Sequence, residues 1–178
     1  MKNRRGFTLV ELIIVLTILG IMLVISGSNL MAWLSHSAAV DFQREFLQRC
    51  GDARTRAMAT NRQYLVRVDL GSGTVLFRQG NLGTGSTAWT DVGPPLQGSR
   101  GAGIHEIIAA PAPGTVSPPT TFSFIFNPGG QALTLDNAAT VRPLTEARVR
   151  LTAENPEDET TIRLYGWTSK ARLENGWP

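Results

Sequence analysis

The sequence predicts an α+β protein in which one long N-terminal helix packs on antiparallel β-sheet. Three observations carry this prediction. From Phe7 to Leu34, 20 of 28 residues are apolar and Glu11 is the single charge. From Ala39 to Ala57 apolar residues recur at spacings of 3 and 4, the period of one helix face. After residue 62 the pattern changes to short alternating runs between Gly and Pro clusters, which marks strands and turns. A chain of 178 residues suits one domain rather than two.

The first element begins with a basic leader, Lys2, Arg4 and Arg5. No Asp, Glu, Lys or Arg then occurs from Leu12 to Val40. A spanning helix needs about 20 apolar residues, so the run is long enough to cross a membrane. The basic leader places its N-terminus in the cytoplasm and residues 36–178 outside. A secretory signal peptide is the competing reading, with Ser26-Gly27-Ser28 as a cleavage site. The apolar run is too long for that. Glu11 also stands at its start, and a carboxylate at the centre of a membrane helix costs about 2.5–3.5 kcal/mol, less near an end.

The helix is expected to continue beyond the membrane. Ala39, Phe42, Phe46, Cys50, Ala53 and Ala57 form its apolar face. Glu45 with Arg49, and Asp52 with Arg56, are acid-then-base pairs at i,i+4. Asn61 is the expected end, since Asn tolerates the left-handed turn. A helix from Phe7 to about Thr60 would be about 80 Å long. Gly20 and the cluster Ser26–Asn29 are its expected weak points. Cys50 reads as a small buried hydrophobe.

Strands follow in order. Gln63–Asp69 alternates, Gly71-Ser72-Gly73 turns it, and Thr74–Arg78 returns as a hairpin. Residues 80–103 hold seven Gly and two Pro and read as one long loop. Ile104–Ala109 is a short strand, and the prolines at 111, 113, 118 and 119 mark a second loop over 110–120. Thr121–Asn127 presents Phe122, Phe124 and Phe126 on one side. Pro128-Gly129-Gly130 turns it into Gln131–Leu135. Glu146–Thr152 alternates, Asn155-Pro156-Glu157-Asp158 turns, and Thr160–Tyr165 and Thr168–Leu173 finish the chain.

Charge and residue chemistry narrow the function. The formal charge is +3, with a pI near 9.6. Without residues 1–6 the count is 14 basic against 14 acidic, so the basicity belongs to the leader. One cysteine allows no internal disulfide. His36 and His105 are far apart and offer no zinc spacing. His105 and Glu106 fall on opposite strand faces. The glycines at 80–85 and 98–103 lack the Lys-Ser/Thr of a phosphate loop. No catalytic site, metal or cofactor is expected. Arg148 and Arg150 share a strand face, as do Arg163 and Tyr165. With Lys170 and Arg172, and Arg142 at the margin, they form a candidate stripe for DNA or a partner. Against this, six basic residues between 142 and 172 are matched by five acidic ones, and Glu174 follows, which reads as a solvated mixed-charge face. Trp89, Trp167 and Trp177 are candidates either for partner contact or for loop packing. Trp33 sits where an interfacial aromatic belt would fall.

The N-terminal residues also resemble a known family. Arg4-Arg5-Gly6-Phe7-Thr8-Leu9-Val10-Glu11, followed directly by LIIVLTILGIM, resembles the class III leader of type IV pilins and type II secretion pseudopilins. The resemblance implies that a prepilin peptidase cuts between Gly6 and Phe7, methylates Phe7 and leaves the helix in place. The implied organisation is a cleaved leader at 1–6, an assembly and membrane helix at 7–35 and a periplasmic or extracellular domain at 36–178. Glu11 of one subunit would pair with the new α-amine of a neighbour and set axial register, a well-attested use of a buried ion pair. A narrower resemblance, carried by DARTRAMATNRQYLVRV, TFSFIFNPGGQA and the last strand pair, is to the H-type pseudopilin and FimT-like minor pilins. Family members often end in a Gly-Arg-x-Arg run. Here Trp167 follows Gly166 and the basic pair is displaced to Lys170 and Arg172.

The implied function is structural: an H-type pseudopilin subunit of a type II secretion pseudopilus. Its implied partners are prepilin peptidase, other pilins through the helix, and an inner-membrane assembly platform. Its implied place is a single pass of the inner membrane. A FimT-like minor pilin for pilus initiation or DNA uptake is the alternative. A membrane-anchored binding or enzymatic domain with a fortuitous leader is the third reading.

Overall fold

The computed structural model describes residues 8–118, 120–135 and 141–176, and at 25–29 the backbone alone. The chain divides into two units, 1–34 and 35–178. Helix α1 runs Leu9–Thr60 and is helical throughout, including Gly20 and 26–29, where weak points were expected. It ends as the sequence predicts: Asn61 turns left-handed at φ 52°. A short polar side chain tolerates that conformation better than a β-branched one.

Within the second unit the predicted helix face forms the floor of the core. Ala39, Phe42, Phe46, Cys50, Ala53 and Ala57 are each at most 4% exposed. Against them lie two antiparallel sheets. The first is built from β1 (Tyr64–Asp69), β2 (Thr74–Gly80), β3 (Trp89–Asp91), β4 (Leu96–Gln97), β7 (Thr121–Phe126), β8 (Ala132–Leu135) and β9 (Val141–Pro143). Its order is β3-β2-β1-β7-β8-β9, with β4 also on β2. The second contains β5 (Gly103–Ala110), β6 (Gly114–Val116), β10 (Glu146–Thr152), β11 (Thr160–Tyr165) and β12 (Lys170–Asn175), in the order β12-β11-β10-β5-β6.

The β1–β2 hairpin is closed by a local device. The Asp69 carboxylate accepts from the N–H groups of Gly71 (2.9 Å) and Ser72 (3.1 Å). The Ser72 and Gly71 bonds hold its pKa below the usual carboxylate value.

Several expectations need correction. Residues 80–103 are not one loop: β3 and β4 both pair back on β2. Strands of three and two residues are too short to show a period, so only their partner reveals them. Residues 110–120 likewise contain β6, paired with β5. β9 was not foreseen because it contains Pro143, which a strand tolerates only at an edge. The last strand starts at Lys170 rather than Thr168, since Ser169 turns at φ 50°. The division into two sheets was also unforeseen.

β7 is central, and both of its faces are covered. Phe122, Phe124 and Phe126 join the main core, while Ser123 and Ile125 on the other face are also buried. The register sets Leu65, Ile125 and Leu133 side by side on that second face.

Two junctions hold this unit together. At the first, Gly166 ties the sheets: its N–H donates to Thr145 O (2.9 Å), and its carbonyl accepts from Ala132 N (2.6 Å). A Cβ at Gly166 would lie 1.8 Å from Leu144 O, so only glycine fits. At the second, the β10–β11 connection grips the helix. Ser35 Oγ donates to the Glu154 carboxylate, His36 Nδ1 lies 2.6 Å from Asp158 Oδ1, and Gln43 Nε2 donates to Asp158 O at 3.0 Å.

Candidate functional site

The N-terminal motif begins outside the described residues: Gly6 and Phe7 belong to that part. The first described residue, Thr8, caps α1. Its Oγ1 accepts from Glu11 N at 3.2 Å, and its carbonyl accepts from Leu12 N at 3.2 Å. Thr8-Leu9-Val10-Glu11 therefore has the Ser/Thr-x-x-Glu pattern of a capping box. Glu11 occupies the first helical turn, where a carboxylate is favoured by the helix dipole. The three-residue spacing from Thr8 to Glu11 is the sequence signal for this cap.

Beyond Glu11 the helix is apolar on every side. The large apolar side chains from Leu9 to Val24 are 46–78% exposed. A helix apolar all round requires an apolar environment that the helix itself does not supply. Among the described residues no helix is long and apolar enough to cross a membrane. The run 9–24 extends about 24 Å at 1.5 Å per residue, against a hydrocarbon core of about 30 Å. The expected span, 7–35, also requires Phe7 and the side chains of 25–29, which lie outside the described residues.

The second candidate site is the outer face of the β5–β6–β10–β11–β12 sheet. The register aligns Arg148, Arg163 and Arg172 in one row across three strands. Arg150 and Lys170 flank the row on the same face, so all five predicted basic residues come together. The same face carries acids. Glu146 lies 2.9 Å from Arg148 and 3.1 Å from Arg163 Nε, Glu174 lies 3.1 Å from Arg163, and Glu106 lies 2.5 Å from Arg150. Tyr165, then Glu146 and Glu174, raise the pKa of the Arg163 guanidinium. Like-charged neighbours in the row are thus interleaved with carboxylates. Arg142 falls on β9 in the other sheet, away from this stripe.

Other candidates stand apart from these two sites. Trp167 is 71% exposed beside a cavity of about 90 Å³ formed with Gln131, Leu133, Pro143 and Leu144. Trp89 is half-buried on β3, and Trp177 lies outside the described residues. A concavity of about 690 Å³ follows the polar flank of α1. Within it Arg49 bonds Glu45 at 2.8 Å, and Arg56 lies over the Phe77 ring at 5.7 Å. Cys50 is buried, and desolvation pushes its thiol up to about 12. No group of three or more His, Cys, Asp or Glu suited to a metal occurs among the described residues.

Comparison with known proteins bears on the N-terminus and on the fold. Residues 1–27 match the family described as the prokaryotic N-terminal methylation motif. The fold is similar to the crystal structure of the minor pseudopilin EpsH from the type II secretion system of Vibrio cholerae. That match has 16% identity and a TM-score of 0.50, and covers 81% of this chain and 99% of that one. The chain thus joins that N-terminal motif to a fold similar to that of EpsH. A second EpsH structure from Vibrio cholerae matches at 15% identity over 60% of this chain and 94% of that one, with a TM-score of 0.36. No curated protein matches the chain. In this chain the capped helix start, the all-round apolar run and the helix-on-sheet domain follow one another in that order.

Proposed function

We propose that this pilin-like chain is a structural, non-enzymatic subunit of H type in a type II secretion pseudopilus. Prepilin peptidase cuts it between Gly6 and Phe7 and methylates Phe7. The helix then holds the subunit in the inner membrane as a single pass, with residues 36–178 in the periplasm, until the assembly platform adds it to the filament. The observation that carries this reading is the methylation motif over residues 1–27 joined to a helix that is apolar all round. In this reading Glu11, in the first turn of α1, pairs with a neighbour's freed amine and fixes register.

The test is the mass of the chain recovered from its native envelope. The expected mass lacks residues 1–6 and is about 14 Da heavier than the bare remainder, for one methyl group. Recovery of the full-length chain sinks the reading. Gly6→Ala is expected to slow or block the cut. Glu11→Val is expected to leave the cut intact and impair incorporation; normal incorporation sinks the register argument.

A FimT-like minor pilin that binds DNA is the second reading, favoured by the row Arg148–Arg163–Arg172. Binding of DNA with a steep salt slope would support it. The interleaved Glu146 and Glu174 weigh against it.

A further inference from the structure

Four strands end the two sheet paths: β3 and β9 in the first, β6 and β12 in the second. Three of them have three residues each. β12 has six, Lys170-Ala171-Arg172-Leu173-Glu174-Asn175, without Gly or Pro. An edge of this kind offers a row of backbone donors and acceptors to another chain unless something blocks it.

Its outward groups follow from the ladder. Gly176 N donates to Glu159 O at 3.2 Å, one step beyond the Thr160–Asn175 partners. On the other side of β11, Gly166 N donates to Thr145 O, one step beyond the Glu146–Tyr165 partners. Antiparallel pairs alternate between hydrogen-bonded and non-hydrogen-bonded. Both bonds therefore give the same phase. Thr161–Glu174, Arg163–Arg172 and Tyr165–Lys170 are the hydrogen-bonded pairs, and Ala171, Leu173 and Asn175 turn their N–H and C=O away from β11.

The side chains of this edge complement themselves. In an antiparallel pairing of two β12 strands centred on Leu173, Leu173 faces its copy and Ala171 faces the partner's Asn175. Every residue in those pairs turns its backbone outward, so the phases agree. Between them fall two non-hydrogen-bonded pairs, in which side chains are closest. Each sets Arg172 against the partner's Glu174. Moving the centre to Ala171 instead opposes Lys170 and Arg172, a repulsive pair. Moving it by one residue puts the backbone out of phase.

The charge already on the face points the same way. Arg172 stands directly opposite Arg163, which in turn stands opposite Arg148. Like charges placed so are destabilising, and a second carboxylate offsets them. Leu173 adds an apolar contact: it is 38% exposed at this edge, although its neighbour Ile162 is fully buried. We propose that β12 is a homotypic docking edge, through which two copies of this chain join their five-stranded sheets antiparallel about Leu173.

The experiment is cysteine crosslinking of the full chain in its native envelope. Directly opposed residues of a hydrogen-bonded pair have Cα atoms about 5.5 Å apart, within disulfide range. Leu173→Cys is expected to give a disulfide dimer of twice the chain mass on mild oxidation. Trp167→Cys, exposed but off the edge, is expected to give at least about tenfold less. Ala171→Cys alone should fail to form the dimer, and Ala171→Cys with Asn175→Cys should succeed. On the Leu173→Cys background, Arg172→Glu should lower the dimer about tenfold. Adding Glu174→Arg should restore it, which separates loss of pairing from loss of folding. The proposal is overturned if Leu173→Cys yields no homodimer, if its adduct is with another protein, if Trp167→Cys crosslinks as well, or if the double charge exchange fails to rescue.

Discussion

The two stretches of α1 on either side of residue 34 follow opposite rules. Before it, apolar side chains point in all directions and remain at least 46% exposed as far as Val24. After it, six apolar residues at spacings of 3 and 4 are at most 4% exposed. The second stretch is satisfied by its own chain, because an apolar stripe needs only one covering layer. The first cannot be, because a helix apolar all round needs apolar neighbours on every side. One helix thus meets two demands: its later part is buried within its own domain, and its earlier part presents apolar side chains that its own chain does not cover.

The contrast predicts its own largest effect. Phe46→Ala should lower the unfolding free energy of the detergent-solubilised chain by about 3–5 kcal/mol. Leu16→Ala should lower it by less than about 0.5 kcal/mol, as an exposed site does. Chemical denaturation of the two variants measures the difference, and equal losses would break the comparison.

A second effect arises where the sheets meet. Gly166→Ala places a methyl group against the Leu144 carbonyl and should cost about 1–3 kcal/mol. The same measurement checks it, and an unchanged midpoint would mean the corner yields without strain.

The effect that is smallest at neutral pH, where it vanishes, sharpens the buried half. The Cys50 thiol ionises near its ordinary value of 9.0 when unfolded, and burial pushes it up to about 12 when folded. Below pH 9 both states keep the proton, so Cys50 adds no pH dependence. Above 9 the unfolded state releases it first. Stability should fall by about 1.4 kcal/mol per pH unit from 9 towards 12, and Cys50→Ala should remove that part of the slope.

Much of this architecture is legible in residue order. The helix, its end at Asn61, its buried face and the Glu45–Arg49 pair can all be read, because a 3.6-residue period and i,i+4 contacts are local. The strands with five or more alternating residues are legible for the same reason. The short strands β3, β4, β6 and β9 are not, since two or three residues carry no period. The basic face is only half legible. Alternation puts Arg148 and Arg150 on one side, but only the register sets Arg148, Arg163 and Arg172 in a row with Glu106, Glu146 and Glu174 among them.

At the N-terminus, order decides nearly everything: a basic leader, Gly6, Phe7, a Thr8 cap and Glu11 in the first turn are contiguous and need no distant partner. In the domain, tertiary structure decides what order leaves open. Two sheets form rather than one because β7 inserts beside β1 and β10 pairs with β5, contacts between residues far apart in the chain. The same pairing leaves β12 at an edge, where its alternating charges face outward.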